Sequence, residues 1–143
     1  MRQLAAAADR FSQAQGLPAV LDAACAAFEA ILTVIGDYED TTNTGVTITF
    51  LLVATQAANG RDAVLFAPSL PPRALHPAAA TGDPHSPEST GAIRSFVTEL
   101  SELLAAGLVH TAATIADGAD RAACCDAAAC AAQIGDLLAG AGP

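Results

Sequence analysis

The chain has 143 residues, of which 52% are hydrophobic and 4% aromatic, and its formal net charge is −9. A chain of this size buries roughly two-thirds of its unfolded surface, so it can form a domain without a metal or a disulfide. Its bases are all Arg, with no cluster that could displace counterions from nucleic acid or bind an anionic membrane, so we expect neither as a partner. The abundant Ala favours helix.

The first helix is predicted over residues 2–15. Leu4, Ala8 and Phe11 recur there at helical spacing, which gives the segment one apolar side. Gly16 is the expected end of this helix.

The second predicted helix, over residues 17–38, has the clearest periodicity in the chain. Pro18 suits its first turn, because a missing N–H costs nothing there. One apolar seam advances in alternating steps of four and three residues, and its members are Leu17, Leu21, Ala24, Phe28, Ile31, Ile35 and Tyr38.

Two interpretations are open for residues 46–67. The segment begins with alternating apolar and polar residues, and the Asn59-Gly60 dipeptide is typical of a hairpin turn, so a strand pair is one interpretation. The same apolar residues also form a helical stripe, however, and the Ala-rich stretch that follows is poor in strand formers. Because Asn59-Gly60 can equally end a helix, we favour a helix over residues 45–59.

A long loop is predicted over residues 68–87, which contain six of the eight prolines. Loops of this length inside a domain are usually functional or disordered. His76 and His85 could serve as ligands only if this loop were ordered. The loop opens with a PxxPxR pattern of the kind that docks in aromatic grooves, and its candidate partner-binding residues are Pro68, Pro71, Pro72 and Arg73.

Two more helices are predicted, over residues 88–106 and 108–138, with a break at Gly107 between them. The first has a clear apolar face of large side chains. The second has a stripe of mostly small residues, which permits close helix approach, and Ala119 and Ala123 are its candidate contact residues.

Together these elements predict an all-α fold, a four- or five-helix antiparallel bundle with a long Pro-rich internal loop, forming one domain over residues 1–143. The alternative is an α+β fold with a hairpin at 46–67. The most apolar stretch, residues 46–58, is shorter than the roughly 20 residues that cross a bilayer, and the N-terminus does not resemble a signal peptide. We therefore expect a cytoplasmic protein without a membrane span.

Cysteine is the one residue type that points to specific chemistry. Cys124, Cys125 and Cys130 cluster in the last predicted helix, but at 100° per residue their side chains point in different directions and cannot share one zinc ion. Cys25 and Cys130 are expected to be small core residues. An exposed Cys125 could form disulfides between chains or respond to oxidants.

No catalytic signature is present in the sequence. Glu99, Glu102, Asp117 and Asp120 are expected to lie on the solvated face, and the Glu-x-x-His motif of di-metal bundles does not occur. His110 is expected to be an ordinary surface histidine. The pattern predicts no cofactor and favours a protein that is not an enzyme.

The sequence therefore favours a non-enzymatic helical interaction or assembly protein that associates with itself or another protein, with the small-residue stripe as its interface. Two alternatives stay open. One is a metal-binding or redox-sensitive protein that uses Cys124, Cys125 and Cys130. The other is a binder of small apolar ligands, suggested by the shortage of large side chains.

Overall fold

A computed structural model describes residues 2–41, 47–72 and 90–140 of the chain. These residues form five α-helices and contain no strand. The all-α bundle is confirmed, and the hairpin alternative is wrong because its first half lies inside a continuous helix. The helices are α1 (Arg2–Gln13), α2 (Leu17–Thr41), α3 (Thr47–Leu65), α4 (Thr90–Ala113) and α5 (Gly118–Gly140).

The helices pack side by side in the order α1, α2, α3, α5, α4, and α4 returns to contact α1. Helices α2 and α3 are antiparallel, since the rings of Tyr38 and Phe50 pack edge to face with centroids 5.2 Å apart, while Phe28 contacts the other end of α3 at Gly60. The predicted seam of α2 supplies much of the core, and Leu21, Phe28 and Ile31 are fully buried. Each residue buried in this way contributes roughly 1.5–3 kcal/mol of hydrophobic stabilisation.

Gly16 lies between α1 and α2 with a φ of 87°, as expected, but the other two glycines that were expected to end helices lie inside them. Helix α3 continues through Gly60 to Leu65, because the missing side chain makes room for the Phe28 ring. A Cβ at position 60 would lie 2.5 Å from Cε1 and Cζ of that ring. Gly107 likewise lies within α4, where a Cβ would overlap the ring of Phe11. The predicted break at Gly107 is therefore wrong.

The break between α4 and α5 falls at residues 114–117. The Oδ1 atom of Asp117 accepts hydrogen bonds from the backbone N–H groups of Ala119 and Asp120, at 2.9 and 3.0 Å, and so caps α5. The Arg121 guanidinium folds back and donates to the carbonyl oxygen of Ile115 at 2.7 Å, which satisfies a backbone group at the break. The predicted helix start at residue 88 lies outside the described residues.

Two helices are long and apolar enough to cross a membrane by length and composition, namely Leu17–Tyr38 in α2 and Gly118–Gly140 in α5. The expectation that no segment reaches this length rested on residues 46–58 alone and did not consider these two. Core helices of soluble proteins pass the same test, and both helices contribute buried residues to the core of this bundle.

Candidate functional site

Helix α3 is apolar on two opposite sides. Its inner side packs into the core through Phe50, Val53 and Val64, which are buried. Its other side, which we call the α3 outer face, presents large apolar residues to solvent. The members of this face are Ile48, Leu51, Leu52, Thr55, Asn59, Asp62, Leu65 and, just beyond the helix, Phe66.

The apolar side chains of the α3 outer face are unusually accessible. Ile48 is 72% exposed and Phe66 is 84% exposed. Leu51, Leu52 and Leu65 are 56%, 47% and 45% exposed. A helix that is apolar all round is normally buried on every side, and contiguous apolar patches on a protein surface commonly mark interaction sites.

The position of α3 in the bundle explains this exposure. Helices α2 and α5 flank α3 and cover its inner side, while no other described helix packs on it to any extent. The face also carries little charge, because residues 47–60 include no charged side chain. The charged residues of α3 itself are Arg61 and Asp62, which form an ion pair at 3.3 Å, and Asp136 of α5 lies beside Thr49. A mostly apolar surface with Asp62 near one end thus lies on a chain of net charge −9.

The chain that follows α3 is fastened to the start of α5. The Asp120 carboxylate, which is only 3% exposed, accepts hydrogen bonds from the Ser69 backbone N–H at 3.0 Å and from the Ser69 hydroxyl at 2.6 Å. The Leu70 N–H donates to the Ala67 carbonyl oxygen at 3.1 Å, closing a turn. This fastening fixes the direction in which the chain leaves Phe66.

The turn also bears on the predicted PxxPxR ligand. A polyproline II segment has no internal hydrogen bonds, whereas Pro68 and Ser69 lie inside the turn that Leu70 closes. Pro71 is half-buried and Pro72 is exposed. Residues 68–70 are thus not extended as such a ligand requires, while Arg73, His76 and His85 lie outside the described residues.

The cysteines do not converge on one point. Cys124 is fully buried, Cys130 is half-buried and Cys125 is exposed. Cys124, rather than Cys130, belongs to the core because the buried side of α5 includes Asp120, Ala127 and Ala131. The expectation that Cys25 is a core residue is confirmed. Among the described residues no group of three His, Cys, Asp or Glu side chains could hold a metal ion.

The environment of the cysteines also disfavours thiolate chemistry. Burial, with further contributions from the charge of Asp120 and from Cys125, raises the pKa of Cys124 from 9.0 to about 11. Burial and then Asp126 raise the pKa of Cys130. Because the thiolate is the form that binds metals and reacts with oxidants, these two thiols are poorly suited to either role.

The remaining candidate residues are scattered. Ala119 is exposed, but Ala123 is 7% exposed and belongs to the core cluster, so the two do not form one free surface. The small residues on this side of α5 instead serve packing within the bundle, where Ala127 and Ala131 are fully buried. His110 is exposed in the last turn of α4, and Glu99, Glu102 and Asp117 are exposed as expected. The expectation that Asp120 lies on the solvated face is wrong, because its carboxylate is buried against Ser69.

Two depressions on the surface of the described residues are shallow. One depression lies between α3 and α5 and includes Thr49, Asp136 and Gly140. Another lies between α1 and α2 beside the ion pair of Arg10 and Asp22. Both open widely to solvent, unlike the enclosed apolar pockets that bury most of a small ligand.

Comparison with known proteins gives no match: the chain fits no known protein family, and no curated protein or solved structure is significantly similar to it. The α3 outer face is therefore derived from the chain's own geometry. The helical stripe that predicts α3 lies on its inner side and does not indicate this face. The signal was the presence of Ile48, Leu51 and Leu52 on the opposite side.

Proposed function

We propose that this protein is a non-enzymatic interaction protein of the cytoplasm, which binds another protein chain through the α3 outer face. The observation that carries the proposal is the exposure of five large apolar side chains, four along one side of α3 and one immediately after it. Leaving such groups in water forgoes roughly 25 cal/mol for each Å² that a partner could cover. A helical partner laid along α3 would cover them.

The shape of the surface supports binding to a protein rather than to a small molecule. The face runs the length of a 19-residue helix, which corresponds to about 28 Å. It is convex, whereas small ligands bind in concave pockets. Helices bind such surfaces through side chains spaced three and four residues apart, and the α3 outer face has this spacing.

The α3 outer face differs from the interface expected from sequence. The small-residue stripe of residues 108–137 is divided between α4 and α5, and Ala123 is already covered by the bundle. Neither a cysteine site nor a ligand pocket gains support from a specific observation. Protein binding through α3 is the function that the geometry favours.

Photo-crosslinking in the cells that produce the protein tests this proposal. We expect benzoylphenylalanine at position 51, on the α3 outer face, to give a covalent adduct with one defined protein, identified by mass spectrometry. The matched control is the same residue at position 102, since Glu102 is exposed on α4, away from the face. Adducts that are absent at position 51, or equally strong at both positions, would contradict the proposal.

A further inference from the structure

We infer that the partner on the α3 outer face is a second copy of this chain, with the two α3 helices packed antiparallel about a two-fold axis near residue 57. This inference rests on the proposed function and specifies its partner. Three features of the face carry it: the order of its residues, its charge and its size.

Polar and apolar residues follow one another along the face in a similar order from either end. Apolar groups stand at both ends, with Ile48 at the start and Phe66 at the finish, while Thr55 and Asn59 occupy the middle. A two-fold axis requires the same patch to meet itself in the opposite direction. Rotation about residue 57 brings Ile48 opposite Phe66 of the second copy and Thr55 opposite Asn59. Large apolar groups then meet at both ends of the face, Leu52 lies opposite Asp62, and two hydrogen-bonding side chains meet at the centre.

The charge distribution favours this contact between copies. Each chain has a net charge of −9, so two copies repel each other through most of their surfaces. The α3 outer face avoids that repulsion, because residues 47–60 are uncharged and Asp62 is paired with Arg61. Two such acidic chains can meet on this face with their Asp62 carboxylates roughly 15 Å apart along the helix axis.

The size of the face is sufficient for a modest dimer. A Phe side chain alone can bury 150–250 Å², so the exposed parts of the five apolar side chains present on the order of 500 Å². With Thr55, Asn59 and Asp62 included, the face approaches the roughly 800 Å² that each partner contributes to a standard interface.

Sedimentation equilibrium tests the inference, in reductant and in a Cys125→Ser background so that the exposed thiol cannot link chains. We expect the protein to be a dimer at high concentration. Ile48→Glu should raise the dimer dissociation constant at least 100-fold, because a symmetric dimer would bury the new carboxylate twice. Val109→Glu is the matched control, since Val109 is 59% exposed on α4 and should leave the constant unchanged. Both wild-type residues face solvent, so both variants are expected to fold, which circular dichroism checks.

The antiparallel direction has its own test in a background that also carries Cys130→Ser. Oxidising a mixture of the Ile48→Cys and Phe66→Cys proteins should give the mixed disulfide. The Ile48→Cys protein alone should not crosslink, because its two thiols would lie roughly 27 Å apart along the helix axis. Efficient crosslinking of Ile48→Cys alone would overturn the antiparallel geometry.

The outcomes separate this inference from the proposed function. If the protein stays monomeric at every concentration but is crosslinked from position 51 to a different protein, the inference of a second copy is overturned and the proposed function stands. If the protein is monomeric and position 51 gives no adduct, both the inference and the proposed function are overturned. A dimer that Val109→Glu weakens and Ile48→Glu does not would show that copies meet on α4, against the inference.

Discussion

Replacing Gly60 with Ala is expected to destabilise the bundle by about 1–3 kcal/mol, even though Ala is the better helix former. The new Cβ would lie 2.5 Å from two atoms of the Phe28 ring, which is fully buried and held by its neighbours on all sides. Either the ring or α3 must move, and close-packed cores resist both movements. Urea denaturation followed by circular dichroism gives the change in the free energy of unfolding.

Gly36→Ala is the matched control for this substitution. Gly36 also lies inside a helix, but a Cβ there would meet nothing within 4 Å, so the better helix propensity of Ala should stabilise the protein by about 0.5–1 kcal/mol. The two substitutions are thus expected to change the free energy of unfolding in opposite directions. Adding Phe28→Leu to Gly60→Ala should recover part of the loss by making room for the methyl group. Equal effects at positions 60 and 36 would contradict the close packing of Phe28 on Gly60.

The second large effect is expected at Asp120, whose replacement by Ala should cost about 1.5–3 kcal/mol. The substitution removes a buried carboxylate that accepts two hydrogen bonds from Ser69, and it leaves the Ser69 N–H without its acceptor. It also removes a negative charge from the first turn of α5, where the helix dipole favours one. Urea denaturation again gives the value.

Two further variants show whether this cost comes from the contact with Ser69. Ser69→Ala alone should cost about 1 kcal/mol, and the double variant should cost less than the sum of the two single changes, because both changes break the same hydrogen bond. Asp126→Ala on the exposed side of α5 is the control and should change stability by less than about 0.5 kcal/mol. Additive losses at positions 69 and 120 would show that Asp120 acts through something other than this contact.

The sequence predicted those parts of the fold that depend on a single helix. The seam of α2 was readable because its large residues recur at helical spacing, and the same holds for α4. The signals that failed were glycines. Gly60 and Gly107 have the local properties of helix ends, but a ring from another helix fills the space beside each of them. Contacts between distant residues cannot be read from the neighbours of a glycine in the sequence.

The position of the break between α4 and α5 was predicted wrongly for a different reason. Asp117-Gly118 is a recognisable capping signal, whereas the predicted break was at Gly107. The predicted stripe is centred slightly to one side of the true buried side of α5, which contains Cys124 and leaves Cys130 half-buried.

The candidate site was less accessible to prediction. Sequence alone shows large apolar residues on two opposite sides of α3, but a helix of this kind can lie at the centre of a bundle with both sides covered. Only the arrangement of neighbours, with α2 and α5 on the inner side, reveals that Ile48, Leu51 and Leu52 are exposed. Exposure is a property of the packed molecule, and no residue pattern contains it.

The most direct test of the α3 outer face is methyl NMR of Ile- and Leu-labelled protein with a soluble paramagnetic probe, recorded at low and at high protein concentration. At low concentration the methyl groups of Ile48, Leu51 and Leu52 should be relaxed strongly by the probe, while those of the buried Ile31 and Ile134 should not. At high concentration the same three residues should become protected as a partner chain covers them. If they are already protected like Ile31 at the lowest concentration, the chain covers this face itself, and α3 has no free surface on which a partner could bind.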